Sequence, residues 1–160
     1  MKYFRTFLFL LLIAGGSLAA RAQDNTSPDM KAIIESQNYI FKAKTVYPQN
    51  GRTRQLTDEY DVTVAKDKVV SFLPYFGKAY SAPIGSSEGG IKFTSADFEY
   101  NSKKTSKGWE ITIKPKDAYD VQQLYLTVFE NGSANLRVNS TNRQAISFDG
   151  QIVEGKKKAF

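Results

Sequence analysis

The sequence contains no cysteine and no histidine. Without cysteine there are no disulfide bonds, so stability must come from a packed core, which a chain of 160 residues is long enough to form. The same absences exclude a Ser-His-Asp triad, a Cys-His pair and the usual nitrogen and sulfur ligands of zinc. We therefore expect no metal site, no cofactor and no enzymatic activity. Carboxylate, lysine or tyrosine chemistry and a metal site with oxygen ligands are the alternatives that stay open.

Long apolar runs are also scarce, and the single one lies at the start of the chain. Lys2 and Arg5 precede an apolar run from Phe7 to Ala14, and Ala20-Arg21-Ala22 has the small-residue spacing that signal peptidase cleaves. The run is shorter than the roughly 20 residues that span a bilayer, which makes an N-terminal anchor the weaker alternative. Residues 1–22 are therefore predicted to be a signal peptide. The protein is expected to be periplasmic or secreted, with no transmembrane segment after cleavage.

Positive charge is not concentrated on any stretch that would form one folded face. Removal of Lys2, Arg5 and Arg21 with the signal peptide lowers the formal net charge from +6 to +3. Part of the remaining excess lies in a basic tail over residues 156–160. We therefore expect no nucleic-acid partner. The remainder divides into a flexible N-terminus over residues 23–29 and a single domain over residues 30–155, within the usual size for one domain.

The domain begins with a predicted short helix and continues in alternating strands. The helix is expected to be capped by Ser27 and to run from Pro28 to about Ser36, with apolar residues on one face. That face comprises Met30, Ile33 and Ile34.

Seven to nine segments then alternate apolar and polar residues and are separated by turn residues. One of them places Tyr39, Phe41 and Tyr47 on the same face. Asn131-Gly132 is a strong hairpin signal, and Asp149-Gly150 predicts a turn or a bulge. The pattern indicates a mainly β fold of about eight antiparallel strands, either an up-and-down barrel or a β-sandwich.

Two stretches suggest chemistry, and each also has an ordinary structural explanation. Asp58, Glu59 and Asp61 form a carboxylate cluster, but a solvated outer face is the favoured interpretation because acidic side chains are mostly exposed. The stretch LPYFGKAYSAP, residues 73–83, carries Tyr75 and Tyr80. It is predicted to be a structural corner, although loops near barrel mouths also bind ligands.

Short motifs recur in a recognisable order: Pro74-Tyr75-Phe76-Gly77, Gly90-Ile91-Lys92-Phe93, Trp109, Asn131-Gly132, Asn142-Arg143, and then Ile146 and Gly150. In their order and spacing, the chain from about Met30 to Val153 resembles the exported proteins grouped as the domain of unknown function 4251 family. The resemblance implies a lipocalin-like barrel from a Gram-negative bacterium. It implies no activity, ligand or catalytic residue.

Two functions are compatible with these observations. The first is a non-catalytic binding module that holds a small apolar or anionic molecule in the barrel, as barrels of about eight strands can. Its predicted contacts are Tyr75, Tyr80, Tyr125 and Arg143, with the tyrosines stacking and the arginine binding an anion. The alternative is an envelope protein-interaction or structural domain with a filled core. The partner is accordingly an unknown small molecule or an envelope protein.

Overall fold

The computed structural model describes residues 29–78 and 89–155. The predicted signal peptide, nearly all of the predicted flexible N-terminus and the basic tail lie outside these residues. None of the helices in the described part of the chain is long and apolar enough to cross a bilayer. The elements are α1 Met30–Ser36, β1 Tyr39–Pro48, β2 Arg54–Ala65, β3 Lys68–Pro74, β4 Gly90–Ser95, β5 Phe98–Thr105, β6 Gly108–Pro115, β7 Val121–Phe129, β8 Ser133–Ser140 and β9 Ile146–Glu154.

The nine strands form one sheet in the order β4-β3-β2-β1-β9-β8-β7-β6-β5. All eight ladders between neighbours are antiparallel. Because β1 pairs with β9, the meander curls back on itself into a nearly closed barrel. The predicted mainly β barrel with one short helix is confirmed, and the two sheets of a sandwich do not form.

The direction of the strands explains why nine strands make a barrel expected to have eight. Eight successive antiparallel ladders lead from β4 around the sheet to β5, so β4 and β5 run in the same direction. Only Ala96 and Asp97 separate them, and the chain does not reverse there. The two strands therefore occupy the place of one strand that is broken in the middle. Its first half pairs with β3 and its second half with β6.

The break between β4 and β5 is fixed by a carboxylate from the β6–β7 connection. Asp117 Oδ2 accepts hydrogen bonds from the backbone N–H groups of Ala96, at 3.0 Å, and Asp97, at 3.3 Å. The Ser95 hydroxyl donates to the Asp97 carbonyl at 3.0 Å. Hydrogen bonding from Ser95 and from these backbone groups lowers the pKa of the Asp117 carboxyl. The break between β4 and β5 is thus held by these hydrogen bonds and not by pairing between strands.

Helix α1 closes one end of the barrel, which we call the helix end. The helix begins at Met30, later than predicted, because Asp29 is its N-cap: Asp29 Oδ1 accepts from the backbone N–H groups of Lys31 and Ala32. Its predicted apolar face, Met30, Ile33 and Ile34, is buried in the core. The opposite end, which we call the loop end, carries the β1–β2, β3–β4, β6–β7 and β8–β9 connections.

A β-bulge in β1 overturns one expectation about its faces. Ala43 lies opposite Gly150 and Thr45 opposite Asp149, which leaves Lys44 as an extra residue. The extra residue reverses the alternation, so Val46 is fully buried whereas Tyr47 is 39% exposed. The prediction that Tyr47 shares the face of Tyr39 and Phe41 was therefore wrong. The bulge lies opposite Asp149-Gly150, where a turn or a bulge was predicted.

Gly150 permits the close approach of β9 to β1 at this bulge. A Cβ atom at this position would lie 2.0 Å from the carbonyl oxygen of Lys42 and 3.0 Å from Cε2 of Phe41. Neither atom can move away easily, because the first is backbone within a ladder and the second belongs to a fully buried ring. Glycine is therefore required here by packing.

Replacing Gly150 by alanine should lower the free energy of unfolding by about 1 to 3 kcal/mol, the usual cost of an extra methyl group in a tight core. The matched control is Gly89→Ala, since a Cβ at Gly89 meets no atom within 4 Å. Urea unfolding followed by Trp109 fluorescence measures both. Equal stability of the two variants would contradict the close packing of β1 on β9.

Candidate functional site

Arg143 lies at the loop end, where its side chain joins two connections and the start of β4. The residue is 8% exposed. Its Nη1 donates to the carbonyl oxygen of Gly90 at 2.8 Å, and its Nε lies 2.8 Å from Asp120 Oδ2. The Nε contact is close enough for an ion pair but is not aligned as a hydrogen bond. Arg143 is thus engaged by protein groups on two sides.

Tyr75 packs against this arginine. The Arg143 guanidinium carbon lies 5.2 Å from the centre of the Tyr75 ring, a cation–π arrangement. The Tyr75 hydroxyl donates to the carbonyl oxygen of Lys78 at 2.9 Å and lies 3.2 Å from that of Gln144. A Cβ on Gly77 would lie 2.6 Å from the Tyr75 hydroxyl oxygen, so the glycine makes room for the ring. These contacts favour the predicted structural corner over a ligand-gripping loop.

The other two predicted contacts do not join Tyr75 and Arg143. Tyr125 lies on β7, paired with Arg137 of β8 and Thr112 of β6, and is partly exposed. Partial burial, and then the nearby Glu110 carboxylate, raise the pKa of the Tyr125 hydroxyl. Tyr80 lies outside the described residues. The structure therefore brings together two of the four predicted residues, and ligand binding by these residues stays a prediction.

Arg143 and its contacts Tyr75, Asp120 and the Gly90 carbonyl form what we call the Arg143 cluster. Two polar oxygens in or beside it are buried without a hydrogen-bond partner among the described residues: Asp120 Oδ1 and Gln144 Oε1. Buried oxygens of this kind usually accept a hydrogen bond from protein or water. Asp120 belongs to the β6–β7 connection and Gln144 to the β8–β9 connection, so both oxygens are at the loop end.

The interior is the second place where a ligand would be expected. A side chain with no surface accessible to a water-sized sphere borders no cavity that could hold even one water molecule. Ten inward residues from six strands have 0% exposure and meet this condition: Tyr39, Phe41, Val46, Val69, Leu73, Ile111, Leu124, Val128, Val138 and Phe148. The described part of the interior is packed protein.

One polar pair lies within this core. The hydroxyl oxygens of Tyr39 on β1 and Tyr100 on β5 are 3.2 Å apart, and they satisfy each other across the barrel. Burial raises the pKa of Tyr39 well above its ordinary value of 10.0, and the Tyr100 hydroxyl adds to the effect. Burial also raises the pKa of Tyr100, against a lowering by its hydrogen bonds to Tyr39 and Ser102.

The carboxylates Asp58, Glu59 and Asp61 line a shallow cleft on the outer wall, beside Lys42 and Lys44. Glu59 has 92% of its side chain exposed and lies 4.0 Å from the Lys42 ammonium. Burial, and secondarily Glu59, raise the pKa of Asp61, whereas Lys42 lowers it. This is a solvated outer face, as favoured from the sequence. Within residues 29–78 and 89–155, no cluster of three or more acidic side chains is placed to hold a metal ion.

A cleft that the sequence did not reveal lies at the loop end. The β1–β2 connection and the segment after β3 line an open cleft of about 310 Å³. Three cationic residues line it: Arg52, Arg54 and Lys78. Arg52 and Arg54 are close in sequence, but Lys78 comes from a distant segment, and no local pattern connects the three. Only the curvature of the barrel brings them together.

Replacing Arg143 by alanine should lower the free energy of unfolding by about 2 to 3 kcal/mol. The change leaves Asp120 without its counter-ion and the Gly90 carbonyl without its donor. Partial exposure of Asp120 keeps the loss below the about 3–5 kcal/mol of a fully buried pair. Arg137→Ala, an exposed arginine of β8, is the control. Equal urea midpoints for the two variants would mean that Arg143 does not stabilise the loop end and is free for another role.

The tyrosine pair should make stability depend on pH in the alkaline range. The folded-state pKa values are raised and the unfolded ones are ordinary, so the stabilisation is complete below about pH 10 and is lost as pH rises through the folded values. When the pH is raised from about 9 to about 11, the urea midpoint should fall less in a Tyr39→Phe/Tyr100→Phe variant than in the wild type. Tyr119→Phe, at a position 99% exposed, is the control and should behave as the wild type.

Comparison with known proteins agrees with the resemblance noted in the sequence. The chain is similar in structure to a crystal structure of a DUF4251 family protein from Bacteroides eggerthii DSM 20697, solved at 1.95 Å resolution, with a TM-score of 0.62. The sequences are 19% identical, and the match covers 79% of this chain and 85% of that one, which shows a shared fold. No curated protein matches the chain. The family model described as "Domain of unknown function (DUF4251)" matches residues 21–152, and the chain belongs to this family.

Proposed function

We propose that this chain is an exported, non-catalytic domain, periplasmic or secreted, that binds a protein of the cell envelope through its outer surface. The observation that carries the proposal is the packed interior. Ten inward residues have no accessible surface, so the barrel offers no room beside them for a small molecule. The partner must then be recognised on the outside.

The loop end carries an aromatic side chain suited to such recognition. Tyr119 is 99% exposed. Its neighbours in sequence are anchored, because Ala118 packs against the core and Asp120 is paired with Arg143. A tyrosine held out on an anchored segment loses little conformational freedom when it binds, and tyrosine is enriched among residues that dominate protein interfaces.

The alternative, a carrier that holds a small apolar or anionic molecule in its barrel, has weaker support. Of its four predicted contacts, Arg143 is already paired with Asp120 and Gly90. Tyr125 lies elsewhere on the barrel. An enzymatic role also has little support, since the sequence lacks histidine and cysteine and the described carboxylates lie on a solvated face.

Native mass spectrometry distinguishes the two functions. Mature protein purified gently from the envelope fraction of its own host should carry no apolar small molecule beside the masses of the polypeptide and of its complexes with other proteins. A small apolar molecule that leaves on denaturation would instead support the carrier and contradict the packed interior.

A photo-crosslinking aromatic residue placed at position 119 tests directly whether another protein contacts the loop end. In the same host it should form one discrete adduct with another protein, whereas the same residue at the exposed position 107, in the β5–β6 turn at the helix end, should form none. No adduct at position 119, or equal adducts at both positions, would contradict recognition through the loop end.

A further inference from the structure

We propose that the cleft lined by Arg52, Arg54 and Lys78 binds the phosphate group of a small phosphate monoester. We call it the cationic cleft. The cleft is lined by residues other than Tyr119, and the proposal does not depend on the protein partner proposed above. Its ligand is identified by charge and shape.

The cleft is formed by two segments that differ widely in sequence position. Asn50, Gly51 and Arg52 come from the β1–β2 connection, and Phe76, Gly77 and Lys78 follow β3. Its volume of about 310 Å³ is at the lower end of the range for small-molecule sites. Such a size suits a single charged group with a small substituent.

The charge of the cleft is one-sided. Neither aspartate nor glutamate is among the residues that line it, and no described carboxylate forms an ion pair with its three cations. On the barrel wall and helix, by contrast, lysines repeatedly lie beside acids: Lys31 with Glu35, Lys42 with Glu59, Lys104 with Glu130, and Lys116 with Glu99. Three neighbouring cations repel one another, and a bound anion would relieve that repulsion.

Arg54 is held in position before any ligand arrives. Its guanidinium carbon lies 4.7 Å from the centre of the Phe76 ring. Phe76 is itself partly buried and packs against the core. Because the ring fixes the plane of the guanidinium group, binding costs less side-chain entropy, and the planar fork is suited to two parallel hydrogen bonds with a phosphate.

Lys78 is positioned by the Arg143 cluster through its backbone. The Lys78 carbonyl accepts hydrogen bonds from the Tyr75 hydroxyl at 2.9 Å and from the Gln144 backbone N–H at 3.3 Å. These two hydrogen bonds fix the backbone of Lys78, from which the third cationic side chain of the cleft extends. The role of Arg143 in this site is positioning, exerted through Tyr75, and it does not contact the ligand.

The number of cations favours phosphate over other anions. A phosphate monoester carries about two negative charges at neutral pH, whereas a carboxylate or a sulfate monoester carries one. A bound dianion neutralises more of the positive charge of the three cations than a bound monoanion does, and no acidic side chain of the cleft competes with it. We therefore expect phosphate esters to bind more tightly than sulfate esters of the same sugar.

Titration of the mature protein with glucose 6-phosphate, inorganic phosphate, glucose 6-sulfate and glucose tests this order. Backbone ¹H–¹⁵N NMR should show saturable shifts of Arg52, Arg54, Gly77 and Lys78 with both phosphates, with a Kd of about 1 mM or tighter. Binding should weaken with added salt because the cleft is exposed. Tighter binding of the ester than of inorganic phosphate would add that the cleft also contacts the sugar.

Arg54→Gln should weaken binding of glucose 6-phosphate at least about tenfold, because it removes the pre-oriented cation. Lys107→Gln, which removes an exposed lysine at the helix end, should leave binding unchanged. Lys78→Gln is a second cleft variant, with an exposed side chain, should Arg54→Gln fail to fold.

Three results would overturn the proposal. They are no shifts in the cleft at about 10 mM glucose 6-phosphate, equal affinity for glucose, and unchanged affinity in a folded cleft variant.

Discussion

Strands β1 and β9 come from opposite ends of the domain and pair from Tyr39 opposite Glu154 to Pro48 opposite Ile146. The other seven ladders each join strands that are consecutive in sequence. The β1–β9 ladder is therefore the only one that joins the group β1–β4 to the group β5–β9. It also brings the corner after β3 within reach of the β8–β9 connection, where Gln144 N–H donates to the Lys78 carbonyl. The Arg143 cluster depends on that closure, and in the cationic cleft the anchoring of the Lys78 backbone depends on it.

The fold class was predictable because alternation of apolar and polar residues is a local property of each strand. The same holds for the Asn131-Gly132 hairpin, where Gly132 has φ of +81° and its N–H donates to the Phe129 carbonyl. The bulge at Lys44 was not predictable in its position, since it depends on how β9 pairs with β1. The face of β1 on which Tyr47 lies could therefore be predicted only with the register of β1 and β9 known.

The candidate site was predictable only in part. The glycine and proline of residues 73–83 indicated a corner, and the contacts of Tyr75 agree with it. The partners of the Arg143 side chain could not be predicted, because Asp120 and Gly90 are distant from it along the chain. The cationic cleft went unnoticed for the same reason. Its cations are separated along the chain, and only the folded sheet places the segment after β3 beside the β1–β2 connection, away from acidic side chains.

The broken strand at Ala96 and Asp97 makes the domain suited to circular permutation. No ladder joins β4 to β5, so a cut between them breaks no strand pairing. The end of β9 already meets the residue before β1, since Gly155 N–H donates to the Asn38 carbonyl at 3.0 Å. A chain in which Gly155 is linked to Asp29 and which is opened at the break would run β5 to β9, then α1, then β1 to β4, with each strand beside its successor in the sheet. Its sheet would form from local pairings alone, whereas in the natural order the closing ladder waits for the last strand.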